Sequence, residues 1–512
     1  MKKIYYFLLV LLLSSCISVK KYNEQLLTKI PVEKLKKDVN FTYKKLQKNH
    51  PDLYGFTSKE NLDFKFDSLK FTIKSPLNPS EFYQKLAPLI TEVQQGHLNL
   101  MIPAKRLTKK EIKNLEKQKG LFSRYNFILD GDKIFVKDNA DKIENMDVGT
   151  EILEINEEKS SILIEKYKPY IASDGYNTSY EKYALSRRWP TFFTVENGIL
   201  DSVKLKVKFN NEIKIFYLKR EPVSKKEKKA EKIYTKKKEE QKTQDYNPNT
   251  RSYNRSIDFK TKDSSVVLMT IKTFSGVKSK SFYKESFQTL SDKKVKYLIL
   301  DLRNNLGGSL AEIHDLYRYL GADKYPFITD IEVTDSASLL RADYFSSIPW
   351  LAKPLAAITY PFYAFGSLLS VKKKDGQILL RNNLFSSKKP RKNAFEGEIY
   401  VLINGSSFSA SSIISSKLKG DGRAILVGEE TGGANDGTVA GRYNTVKLPN
   451  SKILFPIGLM KISPNIVFTK TKKGVEPNIE MIESTTEILQ KKDKVLHYVL
   501  EEISKKNSIE IK

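Results

Sequence analysis

The segment from Tyr400 to Ile414 constrains the fold more than any other part of the chain. Its first residues, Tyr400–Ile403, are apolar and mostly aromatic or β-branched, which predicts a buried strand. The polar pair Asn404-Gly405 then marks a tight turn. Small residues lead from this turn into aliphatic residues at helical spacing. The segment therefore predicts a strand, a tight turn and a helix N-terminus in immediate succession.

Several serines lie at the start of this predicted helix. Unpaired backbone N–H groups and the helix dipole favour negative charge at such a position. Acyl transfer from a serine passes through an oxyanion, which needs that environment. For the segment taken alone, a serine-rich helix cap is the equally good alternative.

The chain has 512 residues and a formal net charge of +28, from 88 Lys and Arg against 60 Asp and Glu. This length predicts two to four domains. The basic excess is mostly lysine scattered over the whole chain, and no platform of interleaved arginines and aromatic residues is present. A solvated lysine surface explains the charge better than a nucleic-acid site, so no nucleic-acid partner is expected.

The N-terminus has the pattern of an export signal. Lys2 and Lys3 precede a short apolar run that ends in small residues, which predicts a secretory signal peptide too short to span a bilayer comfortably. Leu13–Cys16 resembles a bacterial lipobox, in which the cysteine becomes the acylated N-terminus. Cys16 is the only cysteine, which excludes an intramolecular disulfide. We expect a lipid-anchored protein of the bacterial cell envelope, with residues 17–30 as a tether.

Composition and periodicity divide the rest of the chain. The predicted units are a signal peptide (1–16), a tether with a helical N-terminal cap (17–117), a β-rich domain (118–223), a Lys/Glu-rich insertion or linker (224–262), an α/β domain (263–490) and a C-terminal helix or tail (491–512). The Lys/Glu-rich segment has few large aliphatic residues, so we expect it to stay solvated.

A long apolar run, Ile348–Val371, lies within the α/β region. Three prolines, Pro349, Pro354 and Pro361, interrupt it. This pattern favours packed loops or a substrate-facing surface over a membrane-spanning helix.

Five motifs occur together in the chain and carry a family resemblance. They are Gln95–His97, Asp301–Gly308, Ser407–Ser411, Gly428–Gly433 and Gly474–Asn478. The set resembles the tail-specific (C-terminal processing) serine peptidases and their tricorn-like relatives, over roughly residues 35–485.

The resemblance implies an α/β fold with a crotonase/Clp-like catalytic core, a helical N-terminal cap and a β-rich, PDZ-like module. It implies Ser409 as the nucleophile. It also implies an oxyanion hole formed by the backbone N–H groups of Gly308 and Ala410. Glycine suits the first of these positions, because the backbone there must approach the substrate closely.

The general base is where the chain departs from the tail-specific branch. That branch uses a lysine, but the matching position is Ala434, and no lysine lies between Arg423 and Lys447. The tricorn-like branch uses a histidine from the helical cap, and His97 matches that position. Histidine suits the role because its ordinary pKa lies near neutral pH.

The group that orients the histidine is left open by the sequence. In the tricorn-like branch, a serine before the histidine and a glutamate near the Gly-Val segment complete the relay. Here Gly96 precedes His97, so that serine is absent, and Glu476 is the nearest acid to Gly474-Val475. Glu476 is therefore a candidate, with a turn before Pro477 as its alternative role.

These features together predict an envelope-anchored serine endopeptidase that acts on polypeptides through an acyl-enzyme. No metal or organic cofactor is expected, because no Cys/His cluster has ligand spacing. The alternative is a non-catalytic peptide- or ligand-binding protein on the same fold, which the absent lysine and serine favour.

Overall fold

The structure is a computed structural model of the chain. It describes residues 18–139, 145–223, 244–247, 250, 252–321, 326–346, 348–381, 389–467 and 472–507. Cys16 and the predicted signal peptide lie outside these described residues.

The N-terminal cap is helical, as its periodicity predicts. Asn78 and Glu81 form a capping box that fixes the start of the helix leading towards His97. The inner faces of the helices meet around Leu35, Phe82 and Leu86, which are fully buried. The helices are α1 (Val19–Leu27), α2 (Val32–Asn49), α3 (Lys59–Thr72), α4 (Pro79–Thr91) and α5 (Lys109–Leu115).

Part of the predicted tether is ordered. Helix α1 occupies residues 19–27, and the Asn23 side chain donates to and accepts from the backbone of Arg106, at 2.9 and 2.8 Å. The guanidinium of Arg106 also lies over the ring of Tyr22. Residues 19–27 are therefore a helix held against the body of the protein, and the prediction of a tether is wrong for them.

The β-rich module is one antiparallel sheet with two helices, and its sheet order is β1-β2-β3-β5-β6, with β4 paired to β3. Its first hairpin turns at Asp130-Gly131, a residue pair that favours tight hairpin turns. Trp189 is fully buried at the centre of the core. The elements are β1 (Tyr125–Asp130), β2 (Lys133–Asn139), β3 (Glu151–Ile155), β4 (Glu158–Lys159), α6 (Ser160–Tyr167), α7 (Ser179–Asn197), β5 (Ser202–Phe209) and β6 (Glu212–Lys219).

The α/β domain holds the remaining elements. Its strands are β7 (Gln244–Asn247), β8 (Ser252–Phe259), β9 (Val266–Ile271), β10 (Tyr297–Asp301), β11 (Ile331–Glu332), β12 (Val371–Lys374), β13 (Gln377–Leu380), β14 (Glu398–Ile403), β15 (Ile425–Gly428), β16 (Thr438–Lys447), β17 (Leu454–Ile462) and β18 (Ile479–Glu480). Its helices are α8 (Ser279–Asp292), α9 (Leu310–Tyr319), α10 (Lys353–Leu369), α11 (Ala410–Gly420), α12 (Thr485–Leu489) and α13 (Lys494–Asn507).

Two sheets organise this domain. The larger has the order β18-β15-β14-β10-β9-β8-β7, with parallel pairing from β9 to β18. Its central strands are buried on both faces, which explains why they read as continuous apolar runs. The smaller has the order β12-β13-β11-β17-β16. Its β16–β17 hairpin places Leu448, Phe455 and Ile457 in the same core as the cap helices, which docks the cap onto the domain.

The Lys/Glu-rich segment is not solvated throughout. Residues 224–243 lie outside the described residues, but β7 and β8 extend the large sheet. Arg255 on β8 is fully buried and forms ion pairs with Asp245 and Glu312. The prediction of a solvated linker is wrong for residues 244–247 and 252–259, because sheet pairing and the buried ion pairs of Arg255 replace the missing aliphatic side chains.

The apolar run Ile348–Val371 contains helix α10 where packed loops were expected. Pro354 stands in the first turn of that helix, where a missing N–H costs nothing, and Pro361 lies inside it. Among the described residues, no helix combines the length and the apolar character needed to cross a membrane.

Candidate active site

Ser409 stands where a strand, a turn and a helix meet. Strand β14 ends at Ile403, and α11 begins at Ala410 with Ser409 as its N-cap residue. The backbone of Ser409 has φ 57° and ψ −117°, which is strained for a residue with a side chain. Such strain persists where the surrounding structure imposes it, and it is frequent at nucleophiles on strand-to-helix turns.

Accessibility separates Ser409 from its neighbours. From Val401 to Leu418, every residue except Ser409 is buried. The neighbouring hydroxyls serve the turn: Ser407 Oγ donates to the Leu302 carbonyl at 2.8 Å, and Ser406 Oγ accepts from Arg187 at 2.6 Å. Ser409 is thus the one serine of the motif that a substrate can reach.

A glycine pair lies against this serine. Gly307 has φ +97°, and a Cβ on it would lie 2.8 Å from the Ala410 nitrogen and 2.9 Å from Ser409 Cβ. Gly308 has φ +142°, and a Cβ there would lie 2.3 Å from the Phe274 carbonyl. Both positions combine a left-handed backbone with close contact, so glycine is required.

The two amides expected to form an oxyanion hole are available. Within the described ranges, the backbone N–H groups of Gly308 and Ala410 donate to no protein acceptor. Asn305 secures the loop before them, because its amide accepts from the Gly307 N–H at 2.9 Å and donates to the Ile271 carbonyl at 2.8 Å. The Ala410 amide also opens a helix, where negative charge is stabilised.

His97 reaches the same site from the cap. Its ring lies 5.1 Å, centroid to centroid, from the ring of Phe408, which directly precedes Ser409. His97 Nδ1 lies 3.4 Å from the Tyr443 hydroxyl on β16, and His97 Nε2 is buried with no hydrogen-bond partner in the described structure. Burial lowers the pKa of His97 to about 4. The imidazole is therefore neutral at pH 7 and can accept a proton.

No hydrogen bond joins the Ser409 hydroxyl to His97 in the part of the chain that the structure describes. Catalytic hydrogen bonds are often long without substrate and shorten only in the substrate complex.

Asp174, from the β-rich module, links the residue before His97 to the loop that follows β15, and sequence reasoning missed it. Its carboxylate accepts from the Gly96 N–H at 2.6 Å and from the Ala434 N–H at 3.3 Å. Burial raises its pKa to about 7, against the opposing effect of these two hydrogen bonds. Asp174-Gly175 reads locally as an ordinary turn, so no local signal could have identified it.

The same contacts explain both departures from the family pattern. A Cβ on Gly96 would lie 2.4 Å from the Phe408 ring, so the serine that precedes the histidine in relatives has no room here. Ala434 is buried, and its N–H is bound to Asp174. Position 434, which carries lysine in the tail-specific branch, thus lies at the contact between the α/β domain and the β-rich module.

Glu476 is not brought to His97. Its side chain is exposed, and its backbone carbonyl accepts from Lys419 Nζ at 2.7 Å. The preceding residues pair with the loop after β15, where Glu430 accepts from the Gly474 N–H at 2.6 Å. This pairing turns the next side chain outward, so the prediction that Glu476 orients His97 is not supported; Tyr443 occupies that place.

A cavity of about 790 Å³ lies between the β-rich module and the α/β domain. Its wall includes Asn304, which is close in sequence to the glycine pair. Aromatic and basic side chains line the module side, namely Phe122, Tyr125, Phe127, Lys137, Arg187 and Arg220. The cavity has the volume and mixed chemistry of a site for a segment of polypeptide.

Comparisons with known proteins find one family match in sequence and several similarities in fold. Residues 265–481 match the sequence model of peptidase family S41. The crystal structure of mature CPAF is similar over 94% of this chain and 99% of that chain, at 17% identity and a TM-score of 0.57. Mature CPAF complexed with lactacystin is similar over 93% of this chain and 98% of that chain, at 16% identity and a TM-score of 0.57. The photosystem II D1 C-terminal processing protease aligns over 87% of this chain and 92% of that chain, at 13% identity and a TM-score of 0.42.

No curated protein sequence matches the chain. The similarity to CPAF shows a shared fold. The expected α/β fold, a Clp-like core with a β-rich module, is confirmed, while the PDZ-like character of that module stays a prediction.

Proposed function

We propose that this chain, which belongs to peptidase family S41 through residues 265–481 and is a serine-type peptidase, cuts polypeptides internally through an acyl-enzyme on Ser409. The proposal rests on the backbone conformation, the accessibility and the surroundings of Ser409. Its backbone is strained, it is the one accessible residue of the buried segment from Val401 to Leu418, and the nearby N–H groups of Gly308 and Ala410 donate to no acceptor among the described residues.

Each step has a group in place. Ser409 Oγ attacks the substrate carbonyl carbon, and its proton passes to His97 Nε2. The oxygen that becomes negative accepts from the N–H groups of Gly308 and Ala410. His97 then gives the proton to the leaving amine. In the second half of the reaction, water attacks the acyl-enzyme in place of Ser409, His97 takes the proton of that water, and the acyl group leaves Ser409.

Tyr443 is the group we assign to orient the base. For Nε2 to accept the serine proton, His97 must carry its own proton on Nδ1, and the Tyr443 oxygen 3.4 Å away is placed to accept from it. Burial raises the pKa of Tyr443 to about 12, so the phenol stays neutral and this contact persists at neutral pH.

The substrate we propose is a polypeptide in the cavity between the module and the α/β domain. Phe122, Tyr125 and Phe127 present only their edges to the cavity, being 6–8% exposed, and Lys137 and Arg187 offer positive charge for a carboxylate. Leu306, half exposed beside the glycine pair, would contact the residues next to the cut bond.

An active-site probe tests the nucleophile. A fluorophosphonate should label the parent protein, and Ser409→Ala should abolish labelling and peptidase activity, a loss on the order of 10⁶-fold in kcat. Ser411→Ala is the matched control, because Ser411 is a buried serine two positions further on with no hydrogen bond at its hydroxyl in the described structure. Equal labelling of the Ser409 variant would refute the assignment.

Lactacystin offers a second probe, since it is complexed with mature CPAF in one solved structure. If it binds at Ser409, preincubation should block fluorophosphonate labelling. A folded parent protein that neither reagent labels, and that cuts no peptide library, would favour the binding-protein alternative.

The lipid anchor on Cys16 and the location in the bacterial envelope are also proposals. The Leu13–Cys16 pattern supports both proposals. Helix α1 begins three residues after Cys16, and Arg106 holds this helix to the body of the protein. Labelled palmitate should be incorporated into the parent protein and not into Cys16→Ser. Incorporation into both would exclude Cys16 as the acylated residue.

A further inference from the structure

Helix α10 exposes large apolar side chains to solvent. Of its residues with described side chains, only Ala356 and Ser367 are buried. Six large apolar side chains on the helix and just before it are 64–79% exposed: Trp350, Leu355, Ile358, Phe362, Phe365 and Leu369. Together they expose roughly 700 Å², more than the largest apolar patch of a typical soluble monomer.

The exposed side chains form one stripe. Positions 355, 358, 362, 365 and 369 follow steps of three and four residues, which places them on one face of a helix. The other face is fixed to the protein. The ring of Tyr344 lies 4.8 Å from that of Tyr363, and the Tyr360 hydroxyl donates to the Leu340 carbonyl at 3.3 Å. The helix is therefore held with its apolar stripe outward.

Lysines flank the stripe at both ends, and one exposed acid, Asp375, follows those at its C-terminal end. No charged residue occurs from Pro354 to Ser370, while Lys353 precedes the helix face and Lys372–Lys374 follow it. Lys353, Lys373 and Lys374 are exposed and make no ion pair within the described residues. Trp350 stands at the start of the stripe, and tryptophan favours the boundary between lipid and water.

This arrangement fits the surface of a lipid bilayer with anionic headgroups. Apolar side chains on such a helix enter the boundary between headgroups and acyl chains, and flanking lysines meet the phosphates. A second copy of the chain fits less well, because a paired helical seam usually carries charged residues along its flanks, and this helix has none between Pro354 and Leu369.

We propose that α10 is a membrane-docking helix that lies in the plane of an anionic bilayer. The lipid on Cys16 is not needed for this contact, and neither is peptidase activity. The docking helix connects to the site, because Asp343 next to its packed face accepts from the Thr445 N–H at 2.9 Å and donates its own N–H to the Tyr443 carbonyl at 2.8 Å. Docking would therefore hold strand β16, and the candidate site with it, in a fixed orientation to the bilayer.

The test uses residues 17–512, which carry no acylation, with vesicles of phosphatidylcholine alone or containing about 30% phosphatidylglycerol. The chain has two tryptophans, and Trp189 is fully buried, so a spectral change on binding reports Trp350. We expect binding to the anionic vesicles, a blue shift of tryptophan emission, and quenching by brominated lipid.

Two double variants compare matched surfaces. Phe362→Gln with Phe365→Gln should weaken binding at least tenfold. Ile213→Gln with Ile215→Gln, on the exposed face of β6, is the control. These side chains are 58% and 59% exposed, and replacing them should leave vesicle binding unchanged. Lys353→Gln with Lys373→Gln and Lys374→Gln should remove most of the preference for anionic lipid.

Equal binding by the Phe362/Phe365 variant and the parent would overturn the proposal. A parent protein that binds no vesicles would also overturn the proposal. If the parent protein then forms a dimer that the Phe362/Phe365 variant disrupts, a second copy of the chain is the partner that covers the stripe.

Discussion

The two halves of the candidate site are built in different ways. The nucleophile half comes from two neighbouring strands of one sheet: Ser409 and Ala410 follow β14, and the glycine pair follows β10, which pairs with β14 in parallel. The base half comes from three separate parts of the molecule. His97 belongs to the cap, Asp174 to the β-rich module and Tyr443 to the β16–β17 hairpin.

This difference separates what the two halves depend on. The nucleophile half takes its path from sheet pairing and from the local turn, and it touches the module through Ser406, whose hydroxyl accepts from Arg187, and through the ring of Phe408. The base half exists only when the cap, the module and the hairpin dock together. Changes in the first half should therefore act mainly on chemistry, and changes in the second half should act on docking as well.

Among variants that keep Ser409, the largest effect is expected from His97→Ala. Loss of a positioned base should lower kcat by about 10²–10⁴-fold, because Ser409 then has no acceptor for its proton. Steady-state kinetics on a peptide substrate would measure this loss. His497→Ala is the control, since His497 is 74% exposed on α13. Full turnover by the His97 variant would exclude the proposed base.

The next effect tests the nucleophile half. Gly307→Ala should lower kcat by about 10²–10³-fold, the usual loss when an oxyanion hole is disturbed, since the new methyl would press on the Ala410 nitrogen and on Ser409. Gly131→Ala is the matched control: Gly131 also has a positive φ of +58°, but nothing lies within 4 Å of a Cβ placed there. Similar kcat losses in both variants would mean that backbone strain, not the oxyanion site, is responsible.

A smaller effect is expected from Tyr443→Phe. Loss of one hydrogen bond of about 0.5–1.5 kcal/mol should lower kcat up to about tenfold with KM unchanged. The imidazolium form of His97 would also lose a partner, so the acid limb of the pH–kcat/KM profile should move to lower pH.

Tyr43→Phe is the control for this prediction, because it removes a tyrosine hydrogen bond to Asp63 in the cap, 2.7 Å long and away from the site. An unchanged acid limb in the Tyr443 variant would limit Tyr443 to a structural role.

The last prediction concerns docking of the cap, and it should change stability and leave activity at neutral pH unaltered. His50 is 3% exposed at the end of α2, beside the ion pair of Asp52 and Lys461 that joins the cap to β17, and burial lowers its pKa to about 4. The unfolded chain binds a proton near pH 6.5, so the folded state loses stability as the pH falls from 6.5 towards 4.

The comparison should be made with His50→Gln, which cannot be protonated. The stability of the parent relative to this variant should fall by about 3 kcal/mol between pH 7 and pH 4, as measured by urea unfolding. Asp174 contributes in the opposite sense, because its raised pKa of about 7 stabilises the fold at low pH, but it is common to both proteins and cancels. A pH-independent difference would show that His50 is not buried in solution.

The sequence by itself determined the parts of the molecule that depend on local order. The apolar run of β14, the Asn404-Gly405 turn and the small residues after it predicted the strand, the turn and the position of Ser409 at a helix start. Periodicity also indicated the cap helices. Such signals are readable because backbone preference and side-chain spacing act over a few residues.

Tertiary structure alone decided the rest. Asp174 reads as a turn residue and Tyr443 as one aromatic among many, and each acquires its contact with the base half only through docking of distant segments. The buried ion pair of Arg255 with Asp245 holds part of a lysine-rich segment in the large sheet. The packing of Tyr360 and Tyr363 determines which face of α10 is exposed to solvent. The physical reason is that burial and partner choice depend on which surfaces meet, and no single stretch of sequence contains that information.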